Sequence, residues 1–356
     1  ANDGTNGYEL WKSDGTASGT VMVKDINSGS AYSTPLYLTA IGNTLYFSAD
    51  DGNNGRELWK SDGTASGTVM VKDINSVSSS SPADLTAVGS TLYFRAYDGT
   101  NGYELWKSDG TASGTVLAKD INSGSSSNPG QLTAVGNTLY FTADDGTNGL
   151  ELWKSDGTGS GTGMVKEINS GSSSSSPADL TAIGNTLYFS ADDGNNGREL
   201  WKSDGTASGT VMVKDIYSGF SGSSPADLTA FGSTLFFEAT DGINGYELWK
   251  SDGTASGTVL IKDINSGSSS SSPAYLTAVG NTLYFQATDG TNGVELWKSD
   301  GTASGTVMVK DINSVSSSSP ADLTAVGNTL YFQATDGTYG AELYTNLGVY
   351  TEVTYS

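Results

Sequence analysis

The chain reads as an all-β propeller of about seven four-stranded blades. Three observations predict this. First, the pentapeptide Glu-Leu-Trp-Lys-Ser recurs seven times, with Trp11, Trp59, Trp106, Trp153, Trp201, Trp249 and Trp297 spaced 47 or 48 residues apart. Self-similarity at a period of roughly 40–50 residues marks a repeat architecture. Second, each period holds four short apolar segments, alternating and rich in β-branched residues, with no sustained helical window. Third, each period has three short connections and one long one.

The period from Pro177 to Ser224 shows the elements in order. Leu180–Ile183 is a short apolar strand, followed by the two-residue turn Gly184-Asn185. Thr186–Ala191 alternates, with Leu187, Phe189 and Ala191 on one side. Asp193–Gly197 is a turn cluster. Arg198–Lys202 is the third strand, Ser203–Gly209 turns again, and Thr210–Ile216 is the fourth. Gly, Asn and Asp bound every strand, as hairpin chemistry requires.

The connection lengths order these strands. A four-strand meander is about 14 Å wide, from three gaps of about 4.8 Å. Only the long Ser-rich segment, such as Asn169–Pro177, can carry the chain from an outer strand back to the next inner one. That is blade topology; an open solenoid has shorter coils. The inner pair occurs seven times and the outer pair eight, counting a degraded copy at Ala341–Tyr344. Residues 1–356 therefore read as one propeller domain. The first outer pair, within residues 1–26, is expected to close the ring on the last inner pair, Leu323–Ala334. Residues 341–356 are then a surplus half-repeat or cap. Eight blades with one incomplete is the alternative.

Composition limits function. The chain has no Cys and no His, which removes disulfides, thiolate nucleophiles, His bases and the usual zinc ligands. Its net charge of -22 repels nucleic-acid phosphates and anionic lipid heads. No apolar run approaches the roughly 18 residues of a membrane span, and no signal-peptide pattern stands at the start. No nucleic-acid partner and no membrane insertion are expected.

The string Glu-Leu-Trp-Lys-Ser-Asp-Gly-Thr-Ala-Ser-Gly-Thr, Glu9 to Thr20, returns at Glu57, Glu104, Glu151, Glu199, Glu247 and Glu295, with Gly159 for Ala in one copy. It resembles the signature of the bacterial ELWxxDGT-repeat proteins, over essentially the whole chain. The resemblance implies secreted or surface propeller-like repeats without an established chemistry. The last copy, Glu342–Asn346, lacks Asp-Gly-Thr and suits a cap.

Candidate sites follow from what each repeat supplies. Trp59, Trp106, Trp153, Trp201, Trp249 and Trp297 suit two roles: fillers between blades, or platforms for sugar rings. The Leu beside each Trp must face the other side of the sheet, which favours the filler. The Asp-Gly-x-Asn-Gly turns hold Asn54, Asn101, Asn148, Asn196, Asn244 and Asn292 as ligand candidates. Their partners Asp51, Asp98, Asp145, Asp193, Asp241 and Asp289 are hard oxygen donors suited to Ca²⁺, though no known calcium-loop spacing is present. Ordinary turn bonding is the alternative. These turns and the Ser-rich crossovers should share one rim. Asp84, Asp179, Asp227, Asp322 and Tyr275 open inner strands and should ring a channel mouth. Two positions vary: Ser48, Arg95, Thr142, Ser190, Glu238, Gln286 and Gln333 end the second strand, and Tyr8, Arg56, Tyr103, Leu150, Arg198, Tyr246 and Val294 precede the motif. They read as drift on a solvated face.

The expected function is a non-enzymatic extracellular recognition or adhesion module, in its sharpest form a multivalent lectin for glycans or surface proteins. A structural scaffold, self-associating through the surplus half-repeat, is the competing class. No singular constellation suggests catalysis.

Overall fold

The computed structural model describes residues 1–346. Every regular element among them is a β-strand. The contacts divide the chain into two units, Ala1–Ser176 and Pro177–Ser356.

The first unit opens with a two-stranded pair, Leu10–Lys12 and Val21–Lys24. Three four-stranded antiparallel meanders follow. The first is Leu36–Ile41, Thr44–Asp50, Arg56–Ser61 and Val69–Lys72. The second is Ala83–Val88, Thr91–Tyr97, Tyr103–Ser108 and Val116–Lys119. The third is Gly130–Val135, Thr138–Asp144, Leu150–Ser155 and Gly163–Lys166. The second unit repeats the plan in sheets starting at Ala178, Ala226 and Ala274, then a three-stranded sheet of Ala321–Val326, Thr329–Thr335 and Ala341–Thr345. Each four-stranded sheet is a propeller blade, as the connection lengths predict.

Within each unit neighbouring blades meet first at their inner strands. Thr39 Oγ1 donates to Leu85 O at 3.0 Å, and Thr277 Oγ1 to Leu323 O at 3.1 Å. Between sheets the core is aromatic. Phe94, Phe141, Phe237 and Phe285 are fully buried. In the second strands of most sheets both faces are covered, so Tyr93 and Tyr140 are buried along with the alternating Leu, Phe and Ala, whereas Tyr284 and Tyr331 are only partly covered.

Strand limits differ from expectation at both ends of the blade. The inner strand begins earlier, at Ala178 rather than Leu180, through a bulge between Ala178 and Thr181. Asp179 sits in that bulge with φ of 55°. The outer strand stops at Lys214 rather than Ile216, because Ile216 N donates to the Glu199 carboxylate instead of to the sheet.

The closing pair also needs correction. The edge of Thr329–Thr335 expected to receive residues 1–26 is occupied by Ala341–Thr345, in register from Tyr331–Thr345 to Thr335–Ala341. Leu10–Lys12 pairs with Val21–Lys24. The degraded copy keeps enough of the motif to dock, with Tyr344 stacked on Phe332 at 5.8 Å. It also follows Thr335 after a short turn, so its closure entropy is small. The rest of the expected cap, residues 347–356, lies outside the described residues.

Candidate functional site

The structure gives nearly every residue of the repeated motif a structural task. In the blade starting at Ala83, Glu104 is fully buried. Its Oε2 accepts from Ile121 N at 2.9 Å and Ser127 Oγ at 2.6 Å, and its Oε1 accepts from Ser127 N at 2.8 Å. One carboxylate thus staples the Ser-rich crossover to the third strand. The same staple joins Glu295 to Ile312 and Ser318. Burial pushes Glu57 up to about 7 against the hydrogen bonds that pull it down. Glu104, Glu151, Glu199 and Glu247 are raised for the same reason.

The Trp rings are buried, and within each unit they lie between neighbouring sheets. Trp59, Trp106, Trp153, Trp201, Trp249 and Trp297 are each only 5–6% exposed. Within each unit the Lys that ends one sheet covers the Trp of the next: Lys72 Nζ stands 5.7 Å from the Trp106 centroid, and Lys262 the same distance from Trp297. That Lys72 also donates to Thr115 O at 2.8 Å. The motif's own Lys reaches onward too, Lys60 Nζ donating to Gly110 O at 2.8 Å. Gly110 has φ of 86°, and a Cβ there would stand 2.2 Å from Tyr46 Oη. Only glycine fits both demands. The filler role is therefore the one these six Trp residues fill, and their burial leaves no ring face for a sugar to stack on.

The Asp-Gly-x-Asn-Gly turns do share a rim with the crossovers, as Arg56 N donates to Ser79 Oγ. Their polar atoms serve the turn itself. Asp51 Oδ1 accepts from Asn53 N and Asn54 N at 3.0 and 2.8 Å, and Asp51 Oδ2 from Asn54 Nδ2 at 2.7 Å. Asp98–Asn101, Asp145–Asn148, Asp193–Asn196, Asp241–Asn244 and Asp289–Asn292 repeat the arrangement. Burial raises these Asp, but the donated hydrogen bonds outweigh it and hold each below the usual carboxylate range. Among the described residues no three acidic groups gather in a form that can hold a metal ion.

Outside the motif, the positions that vary between repeats form a second group of contacts. In several sheets pairs of these positions meet: the second residue of the inner strand with the end of the second strand, or the latter with the start of the third. Arg95 Nε lies 3.3 Å from Asp84 Oδ2. Gln333 Nε2 donates to Asp322 Oδ2 at 3.0 Å. Arg56 Nη1 donates to Ser48 O at 3.2 Å and Thr34 O at 3.0 Å, and Arg198 Nη1 to Ser190 Oγ at 3.1 Å. Burial and Asp227 push Glu238 up to about 7. Burial, with Asp227 nearby, also raises Asp179. Of the second-strand set Ser48, Thr142 and Ser190 are buried and Arg95, Glu238 and Gln286 half-buried, so the reading as drift on a solvated face is corrected for these, while Gln333, Tyr8 and Tyr246 are exposed. The members of the cluster stand apart along the chain, by 8 residues for Ser190–Arg198 and 11 for Asp322–Gln333, which hid it. The bulge at the inner strand, visible only in three dimensions, brings its parts together.

Backbone strain marks the same place. Tyr37, Asp84, Gln131, Asp179, Asp227, Tyr275 and Asp322 all hold φ between 53° and 57°, a conformation that non-glycine residues avoid. In the first unit Tyr37, Asp84 and Gln131 line one cavity of about 430 Å³, so successive inner strands do present this residue to a common space. A second cavity, about 390 Å³, is lined by Tyr37, Arg56, Arg95, Tyr103 and Asn128, among others. A third, about 620 Å³, lies on the second unit beside Phe231, Phe236, Lys250 and Asp300. It opens where Phe236 replaces the Tyr of the other repeats.

No family model matches the chain, and no curated protein matches it. Solved structures do. The computationally designed protein Ika8 aligns with a TM-score of 0.50 and 20% identity, over 90% of this chain and 89% of that one. A prolyl endopeptidase aligns with a TM-score of 0.52 and 13% identity, over 87% of this chain and 47% of that one. The β-propeller domain of the Trilobed protease from Pyrococcus furiosus aligns with a TM-score of 0.46 and 12% identity, over 90% and 98%. At such identities the likeness concerns the fold alone, and the chain spans about half of the endopeptidase. Blade topology defines the class, and the first two likenesses agree with it: an all-β propeller built from tandem repeats, with seven to eight sheets.

Proposed function

We propose that this propeller is a non-catalytic recognition module, and that it binds through the repeat-varying cluster rather than through the repeated motif. One observation carries the reading. The motif glutamates, the lysines and the turn Asp and Asn groups are committed to the scaffold, while varying positions line cavities and, at the second residue of the inner strand, hold strained backbone. Strain retained against its cost is a pointer to function. The partner proposed is a glycan or a surface protein. An extracellular or cell-surface setting in bacteria follows from the resemblance to ELWxxDGT-repeat proteins.

The lectin form changes accordingly. Sites that differ from blade to blade do not sum into the equal, weak, multivalent binding that identical grooves would give. One or two of them should dominate. The peptidase activity of the endopeptidase neighbour is a property of that longer protein. Here, without Cys or His, no Ser–His or Cys–His pair can be assembled.

A broad glycan and protein array probed with the folded chain tests this. Hits should weaken in Arg95→Ala, Glu238→Ala or Gln333→Ala and persist in Asn148→Ala and Asn196→Ala. The reverse pattern would return the site to the turns. A blank array would leave the structural scaffold as the better reading.

A further inference from the structure

We infer that the cavity between the first two blades of the first unit is a site for a carboxylate-bearing sugar, such as a uronic acid residue. The inference rests on the recognition reading above and names the ligand class of one of its clusters.

The cavity is lined by Leu36, Tyr37 and Arg56 from one blade, Arg95 and Tyr103 from the next, and Asn128 from the crossover beyond. Its volume, about 390 Å³, lies within the range of small-molecule sites, about 300–1,000 Å³. The lining contains two guanidinium groups and no carboxylate. In a chain of net charge -22 the lining itself is cationic, with Asp84 beside Arg95 and Asp50 near Arg56 just outside it.

The two arginines are placed differently. Arg56 is held by carbonyls, its Nη1 donating to Thr34 O and Ser48 O. It supplies a fixed charge. Arg95 is anchored on one side by Asp84, and among the described residues no hydrogen bond ends on its two Nη nitrogens. A planar fork with free donors matches a planar carboxylate by two parallel hydrogen bonds. Tyr37 and Tyr103 add aromatic surface for the apolar face of a pyranose ring. The exposed Asn128 side-chain amide, which also makes no hydrogen bond among the described residues, can serve a hydroxyl. The other repeats do not duplicate this set, because Thr142, Ser190, Glu238 and Gln286 stand where Arg95 does.

The whole-molecule field opposes anions. Affinity should therefore come from short-range contacts and fall little as salt rises, unlike binding to a basic patch.

Isothermal titration with trigalacturonate, and with neutral galactotriose as control, tests the site. The acidic trisaccharide should bind and the neutral one should not. Arg95→Thr should weaken binding at least tenfold; Thr142 occupies that place in the next blade, so the scaffold tolerates it. Tyr103→Leu should also weaken it, and Leu150 in the next blade shows that this place accepts a leucine. Arg95→Lys should restore only part. The inference fails if trigalacturonate does not bind, if Arg95→Thr and Tyr103→Leu bind as the parent does, or if galactotriose binds equally. Loss of some other array ligand in Arg95→Thr, without trigalacturonate binding, would sink the carboxylate claim and leave the recognition reading standing. No ligand on the array and none in the titration would sink both.

Discussion

The buried glutamate of each repeat explains the most with one side chain. As a carboxylate it accepts three hydrogen bonds in some repeats and four in others, and donates none, so a neutral isostere does not replace it. In Glu104→Gln an amide group would face the donors of Ile121 or Ser127. Glu104→Gln should cost about 2–3 kcal/mol, measured by urea unfolding, despite its matching shape. The same groups set a pH dependence. Burial raises Glu57 and Glu238 to about 7, and raises Glu104, Glu151, Glu199 and Glu247 in the same direction. An acid that binds its proton more tightly when folded adds stability below its unfolded pKa. That stability is lost as pH rises through the folded value. The turn Asp residues act oppositely and withdraw support only in strong acid. Calorimetry should therefore find a higher Tm near pH 5 than near pH 8. A Tm that rises over that interval would contradict the account. The sequence shows Glu104 as one letter of a motif. Its partner Ser127 is hidden in a low-complexity run, legible only as the Ser two places before each Pro.

At the scale of elements, the strand pattern was legible because period-two alternation and Gly turns are local signals. Strand ends were not. The inner strand begins at a bulge, and the outer strand ends where Ile216 turns to Glu199. Both depend on partners distant in sequence. The terminal pairing failed for a related reason: counting pairs cannot say which copy docks, whereas Ala341–Thr345 lies one short turn from its neighbour. Sheets are joined by the Trp–Lys–carbonyl contact, and its parts can be weighed. Trp153 carries the packing, so Trp153→Ala should lose about 3–5 kcal/mol. Lys119 lies 5.7 Å from that ring and donates to Thr162 O at 2.8 Å. A cation over an aromatic ring contributes about 0.5–2 kcal/mol, so Lys119→Met should lose distinctly less than the Trp variant. Thermal melts of the two variants compare these directly, and equal losses would mean the cation, not the ring, holds the seam.

For the molecule as a whole, near-identity of repeats made the scaffold easy to read and the site hard. The eye follows Trp and Asp because they recur, yet recurrence here reflects the shared demands of stacking one blade on the next. Arg56, Arg95 and Tyr103 were visible in sequence as exceptions, but their convergence depends on the bulge and on packing between sheets. The central claim is that what repeats builds the propeller and what varies binds. It is tested most directly by a homogenised chain, in which every repeat receives the set Gln131, Thr142 and Leu150 at the three varying positions. Melting and array binding are measured on the same preparation. The account predicts a Tm within a few degrees of the parent and loss of the parent's ligands. Unchanged binding by the homogenised, folded chain would contradict it.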